Sequence, residues 1–226
     1  MAIIEELNRV EESNNASPPE LEADEEGDIF YESEEYQQEE LQKLMTEATE
    51  FKLKGNTHFG RGEYKQAIEQ YENALMTCPL SLAKERAVYL ANIAACHMKQ
   101  NEYKDAKDMC TQALKSDPTY SKALLRRAQA NEKIGSYTAM SEALDDYKKL
   151  KAQTNDQYTL KECTRAEREL PIKIKTQMEK EKEEMMSKLK DVGNTILGKF
   201  GLSTDNFQFT QDPSGSGGYS VNFVNK

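Results

Sequence analysis

The 226-residue chain has no run of eighteen consecutive apolar residues, which argues against a membrane-spanning helix. Its first residues carry no basic stretch followed by an apolar one, so no secretory leader is expected. Cysteine is scarce: Cys78, Cys96, Cys110 and Cys163 are far apart and form no C-x-x-C pair. They read as reduced, buried thiols of a cytoplasmic protein. Only two histidines are present, His58 and His97, and no Cys/His cluster has the spacing of a zinc site. A phosphate-binding loop is also missing. The segment "GNTILGK", Gly193 to Lys199, fits G-x-x-x-x-G-K, but Phe200 stands where a hydroxyl should hold Mg²⁺. A charged helical stretch precedes it instead of a strand. No cofactor, no metal and no catalytic constellation is expected, so the protein reads as non-enzymatic.

Positive charge is short overall, with a formal net charge of −10, which argues against nucleic acid as the main ligand. The deficit is local. Residues 1–50 hold 17 Asp and Glu against Arg9 and Lys43, a net −15, which leaves +5 on the remaining 176 residues. The body of the chain can therefore offer a positive surface to an anion. Residues 1–33, with "ASPPELEADEEGD" at their centre, lack the apolar area to offset chain entropy and read as a disordered acidic arm.

From about Ser33 a helical period begins, carried by Leu41, Leu44, Met45, Ala48, Phe51 and Gly55. The stretch that follows has an internal copy. Gly62-Glu63-Tyr64, Ala67, Ala74, Leu75 and Pro79 match Asn101-Glu102-Tyr103, Ala106, Ala113, Leu114 and Pro118, each pair 39 residues apart. His58 and His97 share one slot of this repeat, which marks them as structural. A third copy begins after Pro118 and supplies Ala128, Gly135, Ala143, Tyr147 and Leu150. Its turn, around Ser136–Met140, reads as a few residues longer than the others. Small residues at these positions let two antiparallel helices cross closely, and Pro79 stops the second helix because it has no N–H to give.

The pattern resembles the tetratricopeptide repeat, a helix–turn–helix unit of about 34 residues. It implies an all-α solenoid of three repeats, about 48–81, 87–120 and 121–155, inside a domain spanning 34–170. Pro171 suits the first turn of a further helix over 171–200. Met178, Met185, Leu189, Val192, Ile196 and Phe200 give that helix one narrow apolar stripe. A cap on the solenoid is the expected role, with an oligomerisation helix as the alternative, so the chain is a monomer or a dimer. In the tail, 201–226, Phe207 and Phe209 alternate with polar residues, as do Tyr219, Val221 and Phe223. That is a β-hairpin pattern with one aromatic face.

Several polar residues do not serve the packing pattern. Lys52 and Asn56 are four apart on the first helix of repeat one, and Lys122 and Arg126 are four apart on the first helix of repeat three. Asn92 lies in the first helix of repeat two. Their donors suit a terminal α-carboxylate with an acidic side chain beside it. The set resembles the carboxylate clamp of chaperone-binding tetratricopeptide domains: Lys and Asn in the first helix, Asn in the third, Lys and Arg in the fifth. The resemblance implies that first helices line a concave groove, and that the partner is the C-terminal Glu-Glu-Val-Asp of heat-shock proteins 70 and 90. Lys52, Asn56 and Asn92 would hold the terminal carboxylate, and Lys122 and Arg126 an acidic side chain or the carboxylate from the other wall. Lys99, two turns from Asn92, is an additional groove candidate. The layout of arm, repeats, charged helix and aromatic tail is similar to that of small adaptors, for which a G-protein α subunit is a further implied partner.

Overall fold

The computed structural model describes residues 34–211 and 219–224. The acidic arm expected over 1–33 lies outside the described residues, as does the hairpin loop. The chain divides into two compact units, Met1–Leu44 and Met45–Lys226. Seven helices follow in order among the described residues: α1 (Glu34–Gly60), α2 (Tyr64–Thr77), α3 (Ala83–Gln100), α4 (Tyr103–Ser116), α5 (Ser121–Ile134), α6 (Tyr137–Gln153) and α7 (Gln157–Leu197). Two 3₁₀ turns, Gly198–Phe200 and Thr204–Asn206, lead to β1 (Phe207–Gln211) and β2 (Tyr219–Phe223). Consecutive helices pack from α2 through α7, and α3 also touches α5. This is a helix–turn–helix solenoid of three tetratricopeptide-like repeats.

Each repeat turns at a left-handed residue: Gly62 (φ 79°), Asn101 (φ 63°) and Gly135 (φ 72°). Asn101 meets this demand without being glycine, and its Oδ1 accepts a hydrogen bond from Tyr103 Oη at 2.7 Å. The two histidines close the same turns. His58 Nδ1 donates to Glu63 at 2.6 Å, and His97 Nδ1 to Glu102 at 2.7 Å. At the other end of repeat one, Arg86 donates to the carbonyls of Leu75 and Cys78, both at 2.7 Å. It thereby satisfies carbonyls at the end of α2 that have no partner within the helix.

The third turn is short, contrary to the reading from sequence. Only Gly135 and Ser136 separate α5 from α6, and Ser136 Oγ caps α6 by accepting from Ala139 N. Gly135-Ser136-Tyr137 takes the place of Asn101-Glu102-Tyr103. The position filled by Ala67 and Ala106 is then Met140, which is buried. A flexible Met can fill a crossing where alanine is the rule, so a search for alanine misplaced the register.

Pro171 does not begin a helix. It lies inside α7, which runs unbroken for 41 residues, about 60 Å at 1.5 Å per residue. Pro171 is exposed, so water can serve the carbonyl one turn back that the proline leaves without an N–H. The first part of α7 caps the solenoid: Cys163, Ala166 and Leu170 are fully buried in the cluster that holds Tyr147 and Leu150. The stripe from Met178 to Phe200 does not contribute to this cap. Its residues are exposed, Phe200 at 76%. The packing row is instead Cys163, Ala166, Leu170 and Ile174, at helical spacing, in the part of α7 nearer the repeats.

The expected hairpin is present. β1 and β2 pair antiparallel with Phe207 opposite Phe223 and Phe209 opposite Val221. The Phe207 and Phe223 rings meet edge-on at 5.7 Å. The hairpin is joined to the end of α7. Lys190 pairs with Asp205 at 2.8 Å, Asn194 Oδ1 accepts from Thr204 N at 2.7 Å, and Asn206 bonds the backbone of Val224.

Two ion-pair groups hold this end of the solenoid, one joining α5 to α6 and one joining α5 to α7. Arg127 makes a two-pronged contact with Asp146, both bonds at 2.7 Å. Arg165 reaches across from α7 to Glu132 at 2.8 Å, and Tyr147 Oη donates to the same carboxylate at 2.7 Å. Burial alone would raise the Glu132 pKa, but the bonds from Arg165 and Tyr147 outweigh it and hold the carboxyl below its ordinary value.

Candidate functional site

The first helices of the three repeats, α1, α3 and α5, share one open groove. A pocket of about 330 Å³ lies between them, lined by Phe59 of α1, by Ala95, Met98 and Lys99 of α3, and by Arg126 and Gln129 of α5. Two of the six candidates, Lys99 and Arg126, line it directly. The remaining four stand on the same three helices at earlier turns. Asn56 precedes Phe59 by three residues and Asn92 precedes Ala95 by three; Lys52 and Lys122 stand seven residues before Phe59 and Gln129. Those spacings are one and two helical turns, so each of these residues shares a helix face with a residue that lines the pocket.

Counting back from the left-handed turns shows how the repeats supply the site. Asn92 and Arg126 occupy one position of successive repeats, while Asn56, Ala95 and Gln129 occupy another. One structural slot thus carries a donor in two repeats, and the other slot carries an amide in two.

Among the described residues, no carboxylate lies within 4.0 Å of a charged nitrogen of Lys52, Lys99, Lys122 or Arg126. Arg127, next in sequence to Arg126, is saturated by Asp146 on the side that packs α5 against α6. Arg126 is not loose, however. One of its terminal nitrogens donates to the Ala91 carbonyl of α3 at 2.7 Å, which ties α5 to α3 beside Asn92. Its remaining donors stay available to a ligand.

Asn56 is held from behind. Tyr71 of α2 is buried, at 2% exposure, and its Oη donates to Asn56 Oδ1 at 2.8 Å. Burial pushes the Tyr71 hydroxyl up to about 12, Cys96 adds to the rise, and the nearby Arg126 guanidinium opposes it. Burial likewise pushes the Cys96 thiol up to about 11 and Cys110 up to about 12, so these thiols are protonated packing groups.

Phe59 and Met98, which form the apolar wall of the pocket, did not stand out in the sequence. They are 39 residues apart and share one repeat position, so the internal alignment held the signal. Gln129 was equally available as the counterpart of Asn56. His97, Glu102 and Asp105 bring ligand-type atoms within 4.8 Å of one another. The His–Glu half of this group recurs as His58–Glu63, where Gln66 replaces the third acid, so the pair serves the turn.

Residues 87–120 match the tetratricopeptide repeat family. The chain is 39% identical over 83 residues to the mitochondrial import receptor subunit TOM70 of Rattus norvegicus. That stretch is 37% of this chain and 14% of the receptor subunit. It is 40% identical over 89 residues to protein unc-45 homolog B of Danio rerio, 39% of this chain and 10% of that protein. The chain thus spans a small part of the length of the curated relatives it matches. Among solved structures, the first tetratricopeptide domain of Spaghetti (RPAP3), bound to the HSP90 peptide SRMEEVD, is similar with a TM-score of 0.49 at 24% identity. That likeness covers 56% of this chain and 95% of the domain.

Proposed function

We propose that this tetratricopeptide array is a non-enzymatic adaptor whose groove takes an acidic peptide ending in a free carboxylate. The peptide type is Glu-Glu-Val-Asp, the C-terminus of heat-shock proteins 70 and 90, and the compartment is the cytoplasm. The observation that carries the reading is the set of groove cations with no carboxylate partner among the described residues, beside a pocket with an apolar wall. Lys52, Asn56 and Asn92 take the terminal carboxylate. Lys122 and Arg126 take an acidic side chain, and Lys99 an additional one. Charge-assisted bonds contribute about 1.5–3 kcal/mol each, and two or three of them together with apolar contacts to the pocket wall are expected to reach about −7 to −8 kcal/mol after association costs. That corresponds to micromolar affinity and reversible exchange.

Calorimetric titration of an acetylated peptide ending in Glu-Glu-Val-Asp tests this. A dissociation constant of about 1–10 μM is expected, weakening as salt is raised. Absence of binding, or binding indifferent to salt, contradicts the reading.

A second reading is favoured by the exposed row Met185, Leu189, Val192, Ile196 and Phe200. In it the far part of α7 and the hairpin carry the main protein contact, with a G-protein α subunit among the partners. Charged substitutions at Leu189 and Ile196 separate the two, since they leave peptide binding intact in the first reading.

A further inference from the structure

We infer that Tyr71 is a positioning residue that fixes which end of the Asn56 amide faces the groove, and so makes this position an anion-selective donor. The inference rests on the peptide-binding reading above and assigns a role inside it to a residue that touches no ligand.

An asparagine amide has a donating end and an accepting end, and rotation by half a turn about its last bond exchanges them at little steric cost. Asn56 is exposed, so nothing in its packing chooses between them. Tyr71 does choose. Its Oη donates to Asn56 Oδ1 at 2.8 Å, which occupies the accepting end and turns the Nδ2 donors outward. The Arg126 guanidinium of α5 favours the same direction. The guanidinium lies near enough to interact electrostatically with Tyr71. A cation there attracts the phenolic oxygen and repels its hydrogen, which favours donation toward Asn56.

The backbone has been shaped to admit this ring. A Cβ on Gly55 would stand 2.6 Å from Tyr71 Cε1 and 2.8 Å from Cδ1, so only glycine lets the ring lie against α1 and reach Asn56. The other repeats differ at all three positions. At the Tyr71 position they carry Cys110 and Leu144, which have no hydroxyl to give. At the Gly55 position they carry Ala94 and Ala128, and at the Asn56 position Ala95 and Gln129. Glycine, tyrosine and asparagine occur together in repeat one and nowhere else in the array. The ring packs with Ala67, Ile93 and Cys96, so it also joins α1 to α3 behind the groove.

The experiment compares Tyr71→Phe, Asn56→Ala and the double variant by peptide titration and thermal melting. Tyr71→Phe keeps the ring and removes the hydroxyl. It should lower affinity for the free-carboxylate peptide about fivefold, the loss of one hydrogen bond's worth of orientation, with little change in melting temperature. It should also narrow the preference for the free-carboxylate peptide over its amide, because a freed Asn56 can turn its oxygen outward to meet the amide N–H. In the Asn56→Ala background the same change should have no further effect. If Asn56→Ala weakens binding and Tyr71→Phe does not, or if the two losses simply add, the positioning role is overturned while the groove reading survives. If the unsubstituted protein fails to bind the peptide, both fall.

Discussion

Replacing Lys122 by alanine lowers affinity for the acidic C-terminal peptide by about tenfold to a hundredfold and leaves the melting temperature unchanged. The size follows from losing one charge-assisted bond, about 1.5–3 kcal/mol. The unchanged melting temperature follows from position. Lys122 is exposed, and among the described residues it has no ion-pair partner, so the folded chain loses nothing with it. Arg126→Ala should differ in kind. It removes a ligand donor and also the 2.7 Å bond to the Ala91 carbonyl, so binding and stability fall together. Titration and melting of the two variants side by side check this. Equal stability loss in both, or binding insensitive to Lys122, would mean that the groove is not where the peptide sits.

Arg127→Ala should cost about 3–5 kcal/mol of folding stability, the penalty for leaving a buried carboxylate without its partner. Asp146 is 3% exposed at its side chain and accepts both of its 2.7 Å bonds from Arg127. The two-pronged hydrogen bond to Asp146 is also what most strongly holds the guanidinium protonated, ahead of the opposing effect of burial. A domain of this kind has a total stability of about 5–15 kcal/mol, so the change is a large share of it. Chemical denaturation measures it directly. The double variant Arg127→Met, Asp146→Leu should recover most of the loss, because the cost lies in the orphaned charge and not in the absence of the pair. A loss below about 1 kcal/mol for Arg127→Ala would show that water reaches Asp146. The neighbours Arg126 and Arg127 thus predict different phenotypes, loss of binding together with stability for Arg126 and loss of stability for Arg127.

The repeat pattern was legible because packing demands recur along the chain. Alanine at helix crossings, the matched Glu-Tyr after each turn and proline after the second helix mark two repeats without ambiguity. Met140 broke the pattern in the third, because a side chain that can bend satisfies a crossing that alanine usually makes. Pro171 misled for a related reason: its effect depends on whether it faces solvent, and the sequence does not give a facing. Periodicity found the α7 stripe, yet a stripe records which residues share a face and not whether anything covers it. The polar groove candidates were legible as spacings on three helices. Their support was not. The Tyr71–Asn56 bond joins residues 15 apart on different helices, and its counterpart is missing from the other repeats, so no repetition announces it.

The most direct measurement compares one peptide in two forms, with a free C-terminal carboxylate and with a C-terminal amide, titrated against the unsubstituted protein at fixed salt. Lys52, Asn56 and Asn92 are assigned to that terminal group. Amidation should therefore weaken binding by about two orders of magnitude, through the loss of charge-assisted bonds. Equal affinity for the two forms would contradict the assignment and leave the groove as a general acidic-sequence surface.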